Sequence, residues 1–147
     1  MLCATIGDIG PYLSALDWHP QALLCLDTCH LFAAGHDLRA AGGSDDALAE
    51  LALVADGRLA LIHANDAKDE CGSRRDRHQN IGDGTIGRRP FWDLLHHPAT
   101  AGVAFVVETP GAERGHGRDV STLKRLRASA RPPAQRGRAR MLTGVAP

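Results

Sequence analysis

Ala22-Leu23-Leu24-Cys25-Leu26 passes without a break into Asp27-Thr28-Cys29-His30. Two further stretches repeat the design. Leu59–Ile62 runs into His63-Ala64-Asn65-Asp66, and Val103–Val107 runs into Glu108-Thr109-Pro110. Each apolar run is short, rich in Leu, Val or Ile, and closed by polar or turn residues. That pattern predicts strands buried on both faces, as in a parallel sheet. It also predicts that Cys25 is a small core residue.

Helical patterns surround these runs. Thr5–Leu16 places Ile6, Ile9, Leu13 and Leu16 at helical spacing. Ser44 is expected to cap a helix that carries Asp45 and Asp46 in its first turn and runs to about Ala55. Pro90–His97 has a proline near its start and Pro98 after its end. Asp119–Ala130 sets Val120, Leu123 and Leu126 on one face. A helix followed by three strand–helix units implies an α/β layer with right-handed crossovers.

The chain has 147 residues, 44% of them hydrophobic, which suffices for one core and argues against a disordered or fibrous protein. No apolar run approaches the roughly 20 residues that span a bilayer. No Lys or Arg precedes Arg39, so the charged start of a secretory signal is missing. None of the four cysteines forms a CxxC pair, and reduced thiols in the cytoplasm are the expectation. Basic and acidic residues balance at 17 each, but no acid follows Asp119. The body is therefore acidic and the end basic. From about Arg131 the chain is rich in Pro, Arg, Gly and Ala and is expected to form a disordered tail over 131–147, after a domain over 1–130. Clustered Arg of this kind can also bind nucleic acid non-specifically.

The strand ends carry the chemistry. Asp27, His63 and Glu108 close three successive parallel strands, where α/β folds place their sites, and so suggest a coordination shell. A second group lies in the loop Gly72-Ser73-Arg74-Arg75-Asp76-Arg77-His78. Asp76 and His78 are two apart, so an extended loop turns both to one side. With His30 they form a candidate three-ligand zinc set, because zinc accepts imidazole nitrogen and carboxylate oxygen. Arg74, Arg75 and Arg77 flank it and suit a phosphate substrate. Asn65 and Lys68 are candidates for orienting ligands or substrate. Gly82-Asp83-Gly84 reads as a turn, with a phosphate cradle as the lesser alternative. His19, His36, His96, His97 and His116 read as surface or capping residues.

Cys25-Leu26-Asp27-Thr28-Cys29-His30 resembles the CLDTCH signature of the endonuclease IV family of zinc-dependent apurinic/apyrimidinic endonucleases. The stretch IHANDAKDECGSRRDRHQNIGDGTIG from Ile62 to Gly87 resembles that family's central segment, and VVETPG from Val106 to Gly111 its last strand. The resemblance runs from about Ala4 to about Ala128. It implies part of a (β/α)8 TIM barrel, its C-terminal three βα units, and a multinuclear zinc centre. One zinc would be held by His30, Asp76 and His78. Another would be held by Asp27, His63 and Glu108 with a shared Glu that has no counterpart here. The ligands of a further zinc are absent. The implied reaction is cleavage of double-stranded DNA 5′ to an abasic site, in base excision repair.

A complete barrel needs about 250 residues. The resemblance therefore implies a truncated form, with the missing part supplied by a separate N-terminal half or by self-association. Three strands leave open edges and exposed apolar faces, so a marginal or oligomeric fold is expected. Two other readings stay open. One is an inactive zinc- and DNA-binding remnant of the family. The other is a metal-dependent sugar isomerase or epimerase barrel, against which the Arg-flanked Asp76-Arg77-His78 argues.

Overall fold

A computed structural model describes residues 5–134. A 3-10 turn, Ile6–Asp8, leads into α1 (Ile9–Ala15), so the expected first helix is split in two. There follow β1 (Leu24–Asp27), α2 (Thr28–Ala34), α3 (Gly43–Ala55), β2 (Leu59–His63), the short β3 (Asp66–Ala67) and β4 (His78–Gln79), α4 (Arg88–His96), β5 (Ala104–Val106) and α5 (Ala112–Ala128). β1, β2 and β5 form a parallel sheet in the order β1-β2-β5. β3 and β4 make a separate antiparallel pair. The α/β alternation and the three parallel strands read from the sequence are present. The β3–β4 ribbon, two residues per strand, is too short to register as a strand pattern.

The expectation of strands buried on both faces is corrected. Register pairs Leu26, Ile62 and Phe105 across the sheet on one face, and Cys25, Leu61 and Ala104 on the other. Leu26 and Ile62 are buried in a core with Ile9 and Leu13 of α1, Leu48 and Leu51 of α3, Phe91 and Leu94 of α4, and Leu123 and Leu126 of α5. On the second face Cys25 and Ala104 are exposed. Cys25 is therefore not a core residue. The reason is geometric: side chains alternate along a strand, and the helices lie against one face only. Asp27 and His63, two residues beyond Cys25 and Leu61, share the uncovered face.

Two helix starts also differ. α3 begins at Gly43, and Ser44 does not cap it. Ser44 is buried, and its hydroxyl donates to the Leu38 carbonyl (3.3 Å). Gly43 is required there, since a Cβ would stand 2.2 Å from the Asp37 carbonyl oxygen. α5 begins at Ala112, seven residues before the expected Asp119. Gly115 and Gly117 hide that first turn from an apolar pattern, although Glu113 marks it. α4 starts at Arg88 with Pro90 in its first turn, close to expectation. No described helix is long and apolar enough to cross a membrane. The expected tail lies, from residue 135 onward, outside the described residues.

Candidate metal centre

Asp27 ends β1 and caps α2. Its Oδ1 accepts from the His30 amide (3.0 Å), an N-cap bond, which leaves Oδ2 turned to the strand ends. Asn65 holds Oδ2: its Nδ2 donates to it (2.9 Å), while its Oδ1 accepts from the Glu108 amide (2.8 Å). Asn65 is itself fixed, because its amide donates to the Thr28 hydroxyl (2.9 Å) and its carbonyl accepts from that hydroxyl (2.7 Å). Both residues are fully buried. The residues after all three strands are thus tied together by one amide side chain.

Five candidate residues converge around Asp27. His63 Nδ1 lies 2.8 Å from Glu108 Oε2 and 3.8 Å from Asp27 Oδ2. His78 Nε2 lies 3.7 Å from Asp27 Oδ2 and 3.0 Å from Asp76 Oδ1. His30 Nε2 lies 2.8 Å from Asp76 Oδ2. Asp27-His63-Glu108 and Asp27-His30-His78 each bring ligand atoms within 4.8 Å of one another, and Asp27 belongs to both.

The donor chemistry fits a cation. His30 Nε2 and His78 Nε2 are buried and make no hydrogen bond, despite the nearby carboxylate oxygens. In the tautomer that donates Nδ1–H to the Glu108 carbonyl (3.3 Å), His78 presents a lone pair at Nε2. Lone pairs facing carboxylate oxygens repel unless a positive charge stands among them. A second ring nitrogen anchored to a carbonyl is also how metal-binding histidines are oriented.

Cys29 approaches Asp76 and His78 and is the neighbour that sequence reasoning missed. It follows directly on the Asp27-Thr28 turn, which was its signal. Burial, then the charge of Asp27, pushes its thiol up to about 12.

The Asp76 loop is pinned to α2. The Gly72 amide donates to the Phe32 carbonyl (3.0 Å) and the Arg74 amide to the Ala33 carbonyl (3.0 Å). Arg77 spends its guanidinium on Asp69, with Nε donating to Oδ2 (2.6 Å) and Nη2 to Oδ1. That hydrogen bond holds the Asp69 carboxyl below the ordinary carboxylate range. Arg75 stands 3.8 Å from the same carboxylate. Arg74 is exposed and, of the three, is the one with no ion-pair partner among the described residues. Gly82 and Gly84 do not form an open cradle. Their amides donate to Asp66 Oδ2 (2.8 and 3.2 Å), and a Cβ on Gly84 would stand 2.4 Å from Asp66 Oδ1.

The other histidines have structural partners, as expected of capping residues. His97 Nδ1 accepts from the Ala99 amide (3.1 Å), His19 Nδ1 accepts from the Gln21 amide (3.2 Å), and His116 Nε2 meets the Thr109 carbonyl (2.7 Å).

A model of the xylose isomerase-like TIM barrel family matches residues 1–127. A protein of Streptomyces coelicolor named probable endonuclease 4 is 56% identical over 127 residues, which cover 86% of this chain and 43% of that protein. A probable endonuclease 4 of Methanoculleus marisnigri is 41% identical over 111 residues, covering 75% of this chain and 39% of its own length. The crystal structure of endonuclease IV from Thermus thermophilus superposes with a TM-score of 0.72 at 24% identity, over 84% of this chain and 44% of that one. That likeness establishes the fold. The chain spans about two fifths of the length of the curated relatives it matches.

Proposed function

The chain belongs to the xylose isomerase-like TIM-barrel family, and on that footing we propose that it carries the metal-binding C-terminal part of an apurinic/apyrimidinic endonuclease. The observation that carries the proposal is the convergence of His30 and His78, whose buried Nε2 atoms make no hydrogen bond, on Asp76, beside the group of Asp27, His63 and Glu108. The proposed ligands are His30, Asp76 and His78 for one zinc ion, and Asp27, His63 and Glu108 for another. Imidazole and carboxylate donors suit zinc. Bound zinc supplies Lewis acidity at phosphate oxygens and a water of lowered pKa.

The remaining work belongs to the chain. Asn65 fixes the direction of Asp27 Oδ2. The Arg77–Asp69 pair holds the loop that presents Asp76 and His78. Arg74, and Arg75 when it leaves Asp69, offer guanidinium groups to a DNA phosphate. The proposed substrate is double-stranded DNA with an abasic site, cut on the 5′ side, and the proposed role is DNA repair in the cytoplasm.

The uncovered sheet face favours a second reading. In it the chain binds metal and DNA but cuts only when a separate N-terminal half, or another copy, covers that face.

The deciding experiment is incision of a duplex bearing one abasic site by the zinc-loaded chain, with His78→Ala as control. Incision that the control loses supports the first reading. Incision that appears only with added N-terminal half supports the second. Failure of the chain to retain zinc removes both.

A further inference from the structure

Asp119 takes no part in the proposed centre, yet it is a fully buried carboxylate in the middle of α5. Its Oδ2 accepts from Asn80 Nδ2 (2.8 Å) and from the Thr109 hydroxyl (2.6 Å). Its Oδ1 accepts from the Ile81 amide (3.2 Å), and Arg118 Nε stands 3.6 Å away. Asn80 lies two residues after His78, and Thr109 follows Glu108. Asn80 Nδ2 also donates to the Pro110 carbonyl (2.9 Å). One carboxylate therefore knots the exits of the two segments that carry His78 and Glu108.

Burying a carboxylate is costly, and an apolar side chain of similar size would hold a helix against these loops as well. An apolar residue could not set the two exits in one fixed relation. His78 belongs to one ligand group and Glu108 to the other, and they touch through the His78 Nδ1 contact to the Glu108 carbonyl (3.3 Å).

We propose that Asp119 is a positioning residue that holds His78 and Glu108 in register and thereby sets the affinity and geometry of the metal centre. The inference rests on the metal-binding reading above.

The test is titration of the full chain with Co(II), read by visible absorption, together with the melting of the metal-free protein. In Asp119→Asn the new amide faces either Asn80 Nδ2 or the Ile81 amide, donor against donor. The expected result is a loss of Co(II) affinity of about 10- to 100-fold, the usual effect of an outer-shell change, with an altered absorption band. A metal-free melting midpoint close to that of the wild type separates this loss from general destabilisation. A folded Asp119→Asn protein with wild-type affinity and band overturns the inference. So does an affinity loss that leaves the absorption band unchanged.

If Asp119→Asn does not fold, Thr109→Val deletes the tie beside Glu108 alone. It is expected to cost about fivefold in affinity, the worth of one hydrogen bond, and an unchanged titration again overturns the inference. A wild-type chain that binds no Co(II) removes the metal reading itself, a failure distinct from a positioning role that makes no difference.

Discussion

The segment after β2 and the sheet face that β2 helps to form sit side by side and could hardly differ more. In the segment, the two fully buried polar side chains, Asn65 and Asp66, have partners in the chain. Asp66 is fully buried and accepts from the amides of Ala67, Gly82, Gly84, Ile86 and Gly87. Asn65 is satisfied on both sides. On the sheet face, Cys25, Ala104 and Val106 are exposed.

The β1 edge is equally open. Leu23 is 62% exposed, and a cavity of about 470 Å³ runs between β1 and α1, lined by Ile9, Tyr12, Leu13 and Leu16 among others. The polar frame of the candidate site closes within this chain, whereas the apolar surface of the sheet does not. A hydrogen bond is settled by two facing groups, while covering a sheet takes whole elements laid against it.

The largest expected effect breaks the closed side. Asp66→Ala removes one acceptor from five amides, and the protein is expected to lose about 3–5 kcal/mol or fail to fold, as measured by urea unfolding. Little change in midpoint would show that water can replace the carboxylate.

The next prediction concerns the open side. Sedimentation of the wild-type chain is expected to show self-association that Leu23→Glu weakens, since exposed apolar edges pair with other chains. A monodisperse wild-type monomer would contradict it.

Asp69→Asn should give a smaller and pH-dependent loss. The Asp69 carboxyl is held below its ordinary value by Arg77, so its stabilisation is present above about pH 4 and fades as the pH falls through the folded-state value. Wild type and variant should therefore differ at neutral pH and converge in acid, as followed by thermal melts. A gap that persists in acid would assign the effect to packing.

The smallest effect is chemical. Cys25 should take up iodoacetamide in the native state while Cys29 does not, because Cys25 is exposed and Cys29 is buried with its thiol pushed up to about 12. Equal labelling would mean that the sheet face and the core are equally accessible.

Much of the site was legible because it follows a periodic rule. Ligand-type residues at the ends of consecutive apolar runs are brought together by any parallel sheet, and that is how Asp27, His63 and Glu108 meet. Asp76 and His78 were legible from their two-residue spacing. The roles of Asp66 and Asp119 were not. A buried carboxylate has no sequence pattern of its own, and Asp119 looked like a helix start because two glycines concealed the real one.

By itself the sequence determined the α/β alternation, the parallel strands and the residue types at their ends, since these depend on local periodicity and turn chemistry. Only the tertiary structure decided which strand face lies bare, which Arg of the loop has no ion-pair partner among the described residues, and which carboxylates frame the site. Those outcomes depend on which groups meet across gaps of about 30 to 40 residues, as Asn80 meets Asp119 and Asn65 meets Asp27. No local pattern encodes a partner that far away. The packing of α5 against the loops does.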